Sequence, residues 1–188
     1  MRTRTWVARA AGVTFTLLSV TSSAHAQVAR FSKIRDAVPS KYFDAATTHP
    51  DPSNPNRLII GFSTGVDPLT GLPNDFRAWF GNRVAMDTIS FKVTAPFGYY
   101  VAKLTFTQNG VVSLSRTLTV GGGATWVVNN TPASLGTFTG IPGLVGTADL
   151  TTLKLTSVPV SITDSLFASV GAILLTDANV LVKLAPLP

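Results

Sequence analysis

An all-β chain folded as a two-layer antiparallel β-sandwich, with a jelly-roll-like arrangement as one form of it, is what this sequence predicts, on three observations. Residues 87–108, DTISFKVTAPFGYYVAKLTFTQ, alternate apolar and polar side chains on either side of Pro96-Phe97-Gly98, the period of a half-buried sheet. The chain contains no Glu, while Val, Thr, Leu, Phe and Gly are plentiful, a composition that favours strands and turns over helices. Turn-forming clusters of Gly, Pro, Asn and Asp recur between short apolar runs, the spacing of a sandwich rather than of a helical bundle.

Residues 1–26 are set apart from the fold. Arg2, Arg4 and Arg9 precede an uncharged, mostly apolar run over 10–20, and Ala24-His25-Ala26 supplies small residues at the −3 and −1 positions of a cleavage site. That is the three-part pattern of a secretory signal peptide cut after Ala26. The apolar run falls short of the ~20 residues that span a bilayer, so the expected destination is the periplasm or the exterior, with no membrane span in the mature chain. No Cys follows for lipidation and no Arg-Arg pair marks a twin-arginine signal. The expected organisation is a signal peptide over 1–26, an N-terminal arm with a Pro/Asn-rich loop over 27–56, and a sandwich domain over 57–188.

Of the 15 basic residues three belong to the leader, leaving twelve against nine Asp, a net charge of +3. The twelve are scattered along the chain, and no run of them signals a nucleic-acid groove or an anionic-membrane patch. With no Cys in the chain, disulfides and thiol chemistry are excluded.

Taken in order, Phe31, Ile34 and Val38 fit either a short amphipathic helix or an extended arm. Residues 47–56, TTHPDPSNPN, read as a loop that joins no ladder, because three prolines interrupt it. A strand is expected over 57–64, turns over 65–75, and an aromatic cluster at 76–80. The pair at 87–95 and 99–107 follows, read as the centre of one sheet. A further strand over 112–120 is expected to pair Phe106 with Leu114 through a three-residue loop at 109–111, since a two-residue turn at Asn109-Gly110 would mix the two faces. Gly121-Gly122-Gly123 reads as a reversal before a strand over 124–129. Residues 130–148 are poor in strand signals, and a loop so long either hides short strands or serves a purpose. Strands over 152–163, 170–175 and 179–184 complete a set of eight, with a bulge or edge position near Ser157 to accommodate Pro159. A buried helix over 165–175 is disfavoured by Gly171 and the lack of charges. A transmembrane barrel, the rival architecture, fits the Pro-rich first third and the Pro-Leu-Pro ending poorly.

The chemistry-bearing residues are few. His49 is the one histidine after the signal, in a Pro-flanked loop, and no Gly-x-Ser-x-Gly elbow accompanies it. One His cannot furnish a hydrolytic zinc site. Paired carboxylates would have to come from Asp residues whose spacing says nothing of their meeting, so an Asp-dependent hydrolase is the least favoured reading. Calcium takes oxygen ligands, and Asp51, Asp67 and Asp75 lie in loops rich in them, without the alternating spacing of a dedicated calcium loop; no cofactor is expected. Phe76, Trp79, Phe80, Tyr99, Tyr100 and Trp126 are the aromatics that could stack on sugar, with Trp79 and Tyr99 the foremost and Phe76 and Phe80 beside them. The segment Asp51-Pro-Ser-Asn-Pro-Asn-Arg-Leu58 is similar to the one entering strands in sialidase-like propeller repeats. It occurs once, without the family's Ser-x-Asp-x-Gly-x-Thr-Trp box, and so implies no propeller. The expected function is a non-catalytic exported module that binds polysaccharide or another surface component; a self-assembling structural protein is the alternative.

Overall fold

The computed structural model describes residues 27–37, 42–63, 77–79, 83–113, 119–139, 143–170 and 172–188, and every regular element among them is a strand. These are β1 (Arg30–Asp36), β2 (Phe43–Asp51), β3 (Asn54–Phe62), β4 (Arg77–Trp79), β5 (Arg83–Thr94), β6 (Tyr99–Ser113), β7 (Thr119–Val128), β8 (Thr131–Thr139), β9 (Gly143–Asp149), β10 (Ser157–Val170) and β11 (Ala172–Pro186). One sheet runs β1-β5-β10-β7-β8; the other runs β2-β3-β11-β6-β9, with β4 also paired to β11. All pairings are antiparallel. The two-layer sandwich expected from the alternating pattern is the fold observed.

The core lies between the sheets. Ile89, Phe91 and Val93 of β5, Val158, Val160, Ile162 and Leu166 of β10, and Trp126 of β7 face Leu58, Leu104, Phe106, Val180 and Val182 of the opposite layer, all buried. Full burial of each such aliphatic or Phe side chain stabilises by about 1.5–3 kcal/mol, so the alternation seen in the sequence is the principal source of stability.

The pair around Pro96-Phe97-Gly98 corrects the expectation in one respect. Its two strands are β5 and β6, and they lie in different sheets rather than beside each other. The turn is a corner: the Tyr99 N–H donates to Pro96 O at 3.1 Å, and Gly98 has φ +81°, the third position of a type II turn that glycine fills without strain. The alternation could not distinguish a hairpin from an arch, since both place one face inward.

Three of the other corrections, in β6, β7 and β11, share a cause, which is that strands here run through their own turn signals when both edges are paired. No hairpin forms at Asn109-Gly110, because β6 continues to Ser113 with β11 on one edge and β9 on the other. Phe106 therefore faces Val180 and Gly146, not Leu114; Leu114 lies outside the described residues. The triple glycine is mid-strand in β7, held between Ser165-Leu166-Phe167 of β10 and Thr137-Phe138-Thr139 of β8. The two expected C-terminal strands are one, β11, kinked by a bulge between Leu175 and Asp177, and residues 165–170, where a helix is disfavoured, extend β10 as strand. Residues 47–56 are a hairpin rather than a loop: β2 and β3 meet at Asp51↔Asn54, and β2 tolerates Pro50 because it is an edge strand. Residues 130–148 do hide strands, β8 and β9. Asn129 and Asn130, with φ 49° and 63°, form the tight type I′ turn that joins β7 to β8. The arm at Phe31 and Ile34 is extended, as β1.

Pro159 needs no bulge. Register from Ser157 to Ala168 against β5 is continuous. The Pro159 carbonyl accepts from Asn129 N at 3.0 Å, so its hydrogen-less nitrogen also faces the β7 side, at the end of that ladder, and not β5. Residues 151–154 are turn, and the strand expected from 152 begins at Ser157.

Candidate functional site

The outward face of the five-stranded sheet carries a groove of about 420 Å³, lined by side chains of four strands and the Asn129-Asn130 turn. Lys33 and Arg35 come from β1, Ser90 and Lys92 from β5, Pro159 and Ser161 from β10, and Val127 from β7, with Asn130 at the far rim. The sequence positions these groups through strand parity. On β5 the odd-numbered residues from Ile89 to Val93 face the core, which turns Ser90 and Lys92 outward; on β10 the even-numbered residues face the core, which turns Pro159 and Ser161 outward. The floor is knit by cross-strand hydroxyl pairs, Ser90 Oγ to Ser161 Oγ at 2.9 Å and Thr88 Oγ1 to Thr163 Oγ1 at 2.8 Å, the sheet's lateral equivalent of an i,i+4 pair.

The β1 side of the groove depends on a bulge. Phe31 pairs with Val93 and Ser32 with Lys92, after which the register shifts and Arg35 pairs with Ser90. The shift occurs at Lys33, whose φ is 54°, a left-handed conformation that costs an L-residue about 1–2 kcal/mol. It inverts the parity of the strand. Without it Arg35 would face the core and Ile34 the solvent; with it Ile34 packs against the core and the exposed Arg35 joins Lys33 at the groove. Arg30, opposite Thr94, adds a further exposed cation at the same end of the sheet.

The cations are unopposed. Among the described residues Arg57–Asp51 is the ion pair formed, and the outward positions of β5, β7 and β10 hold no Asp. Toward the opposite end of the same face the surface becomes apolar: Val84, Met86 and Phe167 are exposed, with Phe167 directly opposite Val84 across the β5–β10 ladder.

The candidate residues drawn from the sequence fall elsewhere. Tyr99 is half-buried against the core in the other sheet, and its hydroxyl accepts from Gln27 Nε2 at 2.6 Å. Trp79 belongs to β4, its backbone paired with Ala172. Trp126 is buried in the core. Phe76, Phe80, Asp67 and Asp75 lie outside the described residues. Asp51 closes the β2–β3 turn: its Oδ1 accepts from Ser53 N at 2.8 Å and Ser53 Oγ at 2.7 Å, and its Oδ2 pairs with Arg57 at 3.4 Å. These bonds, led by the Ser53 hydroxyl and helped by Arg57, hold its pKa below the usual carboxylate range. Among the described residues no three His, Cys, Asp or Glu side chains gather as a metal site.

The topology does bring two carboxylates together, in the core. Asp87 and Asp164 stand directly opposite on β5 and β10, and only 4% and 0% of their surface reaches solvent. Asp87 is used structurally, its Oδ2 accepting from Tyr42 N and Phe43 N and its Oδ1 from Thr88 N. Asp164 has no hydrogen bond to either oxygen, nor has the amide of Gln108 to either terminal atom. Burial raises the Asp164 pKa to about 7; the Ser165 N–H and the Gln108 amide lie near enough to oppose that rise without closing a hydrogen bond. A substrate cannot reach this pair. The groove residues were missed because the four strands that supply them are far apart in the chain, and because β1 reverses its parity at Lys33.

No family model matches the sequence, and no curated protein matches it. Among solved structures the chain is similar to TmCBM61, a carbohydrate-binding module solved in complex with β-1,4-galactotriose, at 10% identity and a TM-score of 0.38, over 81% of this chain and 90% of that one.

Proposed function

We propose that this chain is an exported, non-catalytic β-sandwich module that binds polysaccharide on the outward face of its five-stranded sheet. The observation that carries the proposal is the groove: hydroxyls of Ser90 and Ser161, the Asn130 amide, three long cationic side chains and the flat apolar faces of Pro159 and Val127 converge on one concavity of about 420 Å³. Saccharides offer hydroxyls and C–H faces together, and a few well-placed polar groups among apolar walls are what orient a ligand. The placement of the acids among the described residues supports the non-catalytic reading. The carboxylate pair is sealed in the core, and the exposed His49 uses Nδ1 only toward the Pro50 carbonyl at 3.1 Å. In this reading export is by the leader over 1–26, and no cofactor is required.

The test is a glycan array with the purified chain, read beside an S90A/S161A variant that removes the hydroxyls from the floor. Retention of polysaccharide by the parent and loss by the variant supports the reading; silence across the array with a correctly folded parent overturns it. A second reading, a partner or second copy of protein on the same sheet face, is favoured by exposed Val84, Met86 and Phe167. Concentration-dependent sedimentation abolished by F167S would select it.

A further inference from the structure

We infer that the groove is selective for acidic polysaccharide, carboxylated or sulfated, over neutral glycan, with Lys33, Arg35 and Lys92 as the selecting residues. The inference rests on the polysaccharide-binding reading and narrows it. Three cations line one groove and a fourth, Arg30, stands at the same end of the sheet. None has an ionic partner among the described residues, and the outward rows of β5, β7 and β10 carry no acid to balance them. A neutral ligand would gain nothing from this charge and would have to share the groove with hydrated ammonium and guanidinium groups. An anionic sugar meets the charge directly, and Arg35 can hold a carboxylate or sulfate through two parallel N–H donors.

The backbone supports the same conclusion. Lys33 takes a left-handed conformation that glycine or asparagine would hold with less strain. Its structural result is to aim Arg35 outward beside Lys92, so the fold sustains local strain to build the cationic end of the groove.

The other anionic macromolecules fit less well. Nucleic acid on a sheet is held by stacking bases on exposed rings, and Phe91, the aromatic residue along this groove, turns its side chain into the core and is 3% exposed. A lipid surface needs its apolar and basic groups interleaved, whereas here Val84, Met86 and Phe167 lie toward the end of the face away from the cations. The strand between Val84 and Lys92 spans about 26 Å at ~3.3 Å per residue.

The test measures binding of the full chain by affinity electrophoresis and calorimetry to polygalacturonate, sulfated dextran, neutral galactan and vesicles containing phosphatidylserine, each at low and high salt. The variant is K33N/R35Q/K92Q, in which Asn holds the left-handed bulge without charge; its melting temperature confirms the fold. Exposed ion pairs contribute about 0.2–1 kcal/mol each, so the triple variant is expected to bind an acidic polymer roughly 3- to 100-fold more weakly, and parental binding is expected to fall with salt. Binding to either acidic polymer with that loss upholds the inference, and the two arms distinguish carboxylate from sulfate. Equal, salt-indifferent binding of galactan by parent and variant overturns the acidic selectivity while leaving polysaccharide binding intact. Binding to vesicles alone, or to no glycan at all, overturns both.

Discussion

Asp164 is the position where one atom's change has the largest expected consequence. It occupies an inward site of β10 between Ile162 and Leu166, beside Ala124 of β7 and Asp87 of β5, with Gln108 approaching from the opposite sheet. Burial raises its pKa from 3.8 to about 7. Below the lower value folded and unfolded chains both hold the proton, and the group adds no pH dependence. Between the two values the unfolded chain releases the proton while the fold keeps it, so stability falls as pH rises by about 1.4 kcal/mol per pH unit. Over roughly three units the loss is on the order of 4 kcal/mol, and it levels off above the folded pKa. The fold is therefore expected to be most stable near pH 4 to 5. Below that range Asp51 and Asp149, whose pKa values are lowered by bonds from Ser53 and Thr151, lose stabilising contacts as they protonate. Asp164→Asn removes the titration with little change of shape. Urea unfolding between pH 4.5 and 8 should show the parent losing stability across that range and the variant nearly flat, more stable at pH 8 by up to about 4 kcal/mol. For a chain of this size that is a rise in Tm of about 8–16 °C. A parent whose stability is level or rises from pH 5 to 8, or a variant with the parent's slope, would show that Asp164 is not the neutral, sealed acid described here.

Three further outcomes follow from single residues. Gln108→Leu replaces a buried amide with neither end bonded by an apolar group of similar volume, and urea unfolding should find it neutral to about 2 kcal/mol more stable. Gly61→Ala would place a methyl 2.8 Å from the Thr47 carbonyl carbon across the irregular β2–β3 pairing, costing about 1–3 kcal/mol in the same assay. Excess calcium should leave the thermal melt unchanged, because the Asp51 oxygens already serve Ser53 and Arg57; a clear rise in Tm would mean that the Asp-bearing loops bind the ion.

What the sequence disclosed was parity, and what it concealed was partnership. The apolar rows Ile89-Phe91-Val93 and Leu104-Phe106 are buried as their alternation requires. Alternation is a property of one strand against one core, and it is silent on which strand lies alongside. The arch at Gly98 and the unbroken course of β6 through Asn109-Gly110 were thus beyond its reach. Local turn propensity contributes about 1 kcal/mol or less at a site, and it yields when both edges of a strand are bonded along its length. The triple glycine of β7 is the plainest case. It would loosen an isolated strand, yet it continues between β8 and β10 with the Ser165 hydroxyl donating to the Gly123 carbonyl at 3.1 Å.

The groove was hidden for a stronger reason. Net charge of +3 spread over residues 27–188 carries no sign of a basic site, and Lys92 stands more than fifty residues from Lys33 and Arg35. They meet because β1 pairs with β5 and because one left-handed residue reverses the parity of β1 between Ser32 and Arg35. Read as regular alternation, Phe31 and Lys33 would share the inward face and Arg35 would join them there, an arrangement no core would accept. That conflict is itself the sequence signal of the bulge. A strand whose period of two would bury two cations must shift register between them and the preceding apolar residue, and the shift turns those cations onto the surface they can use.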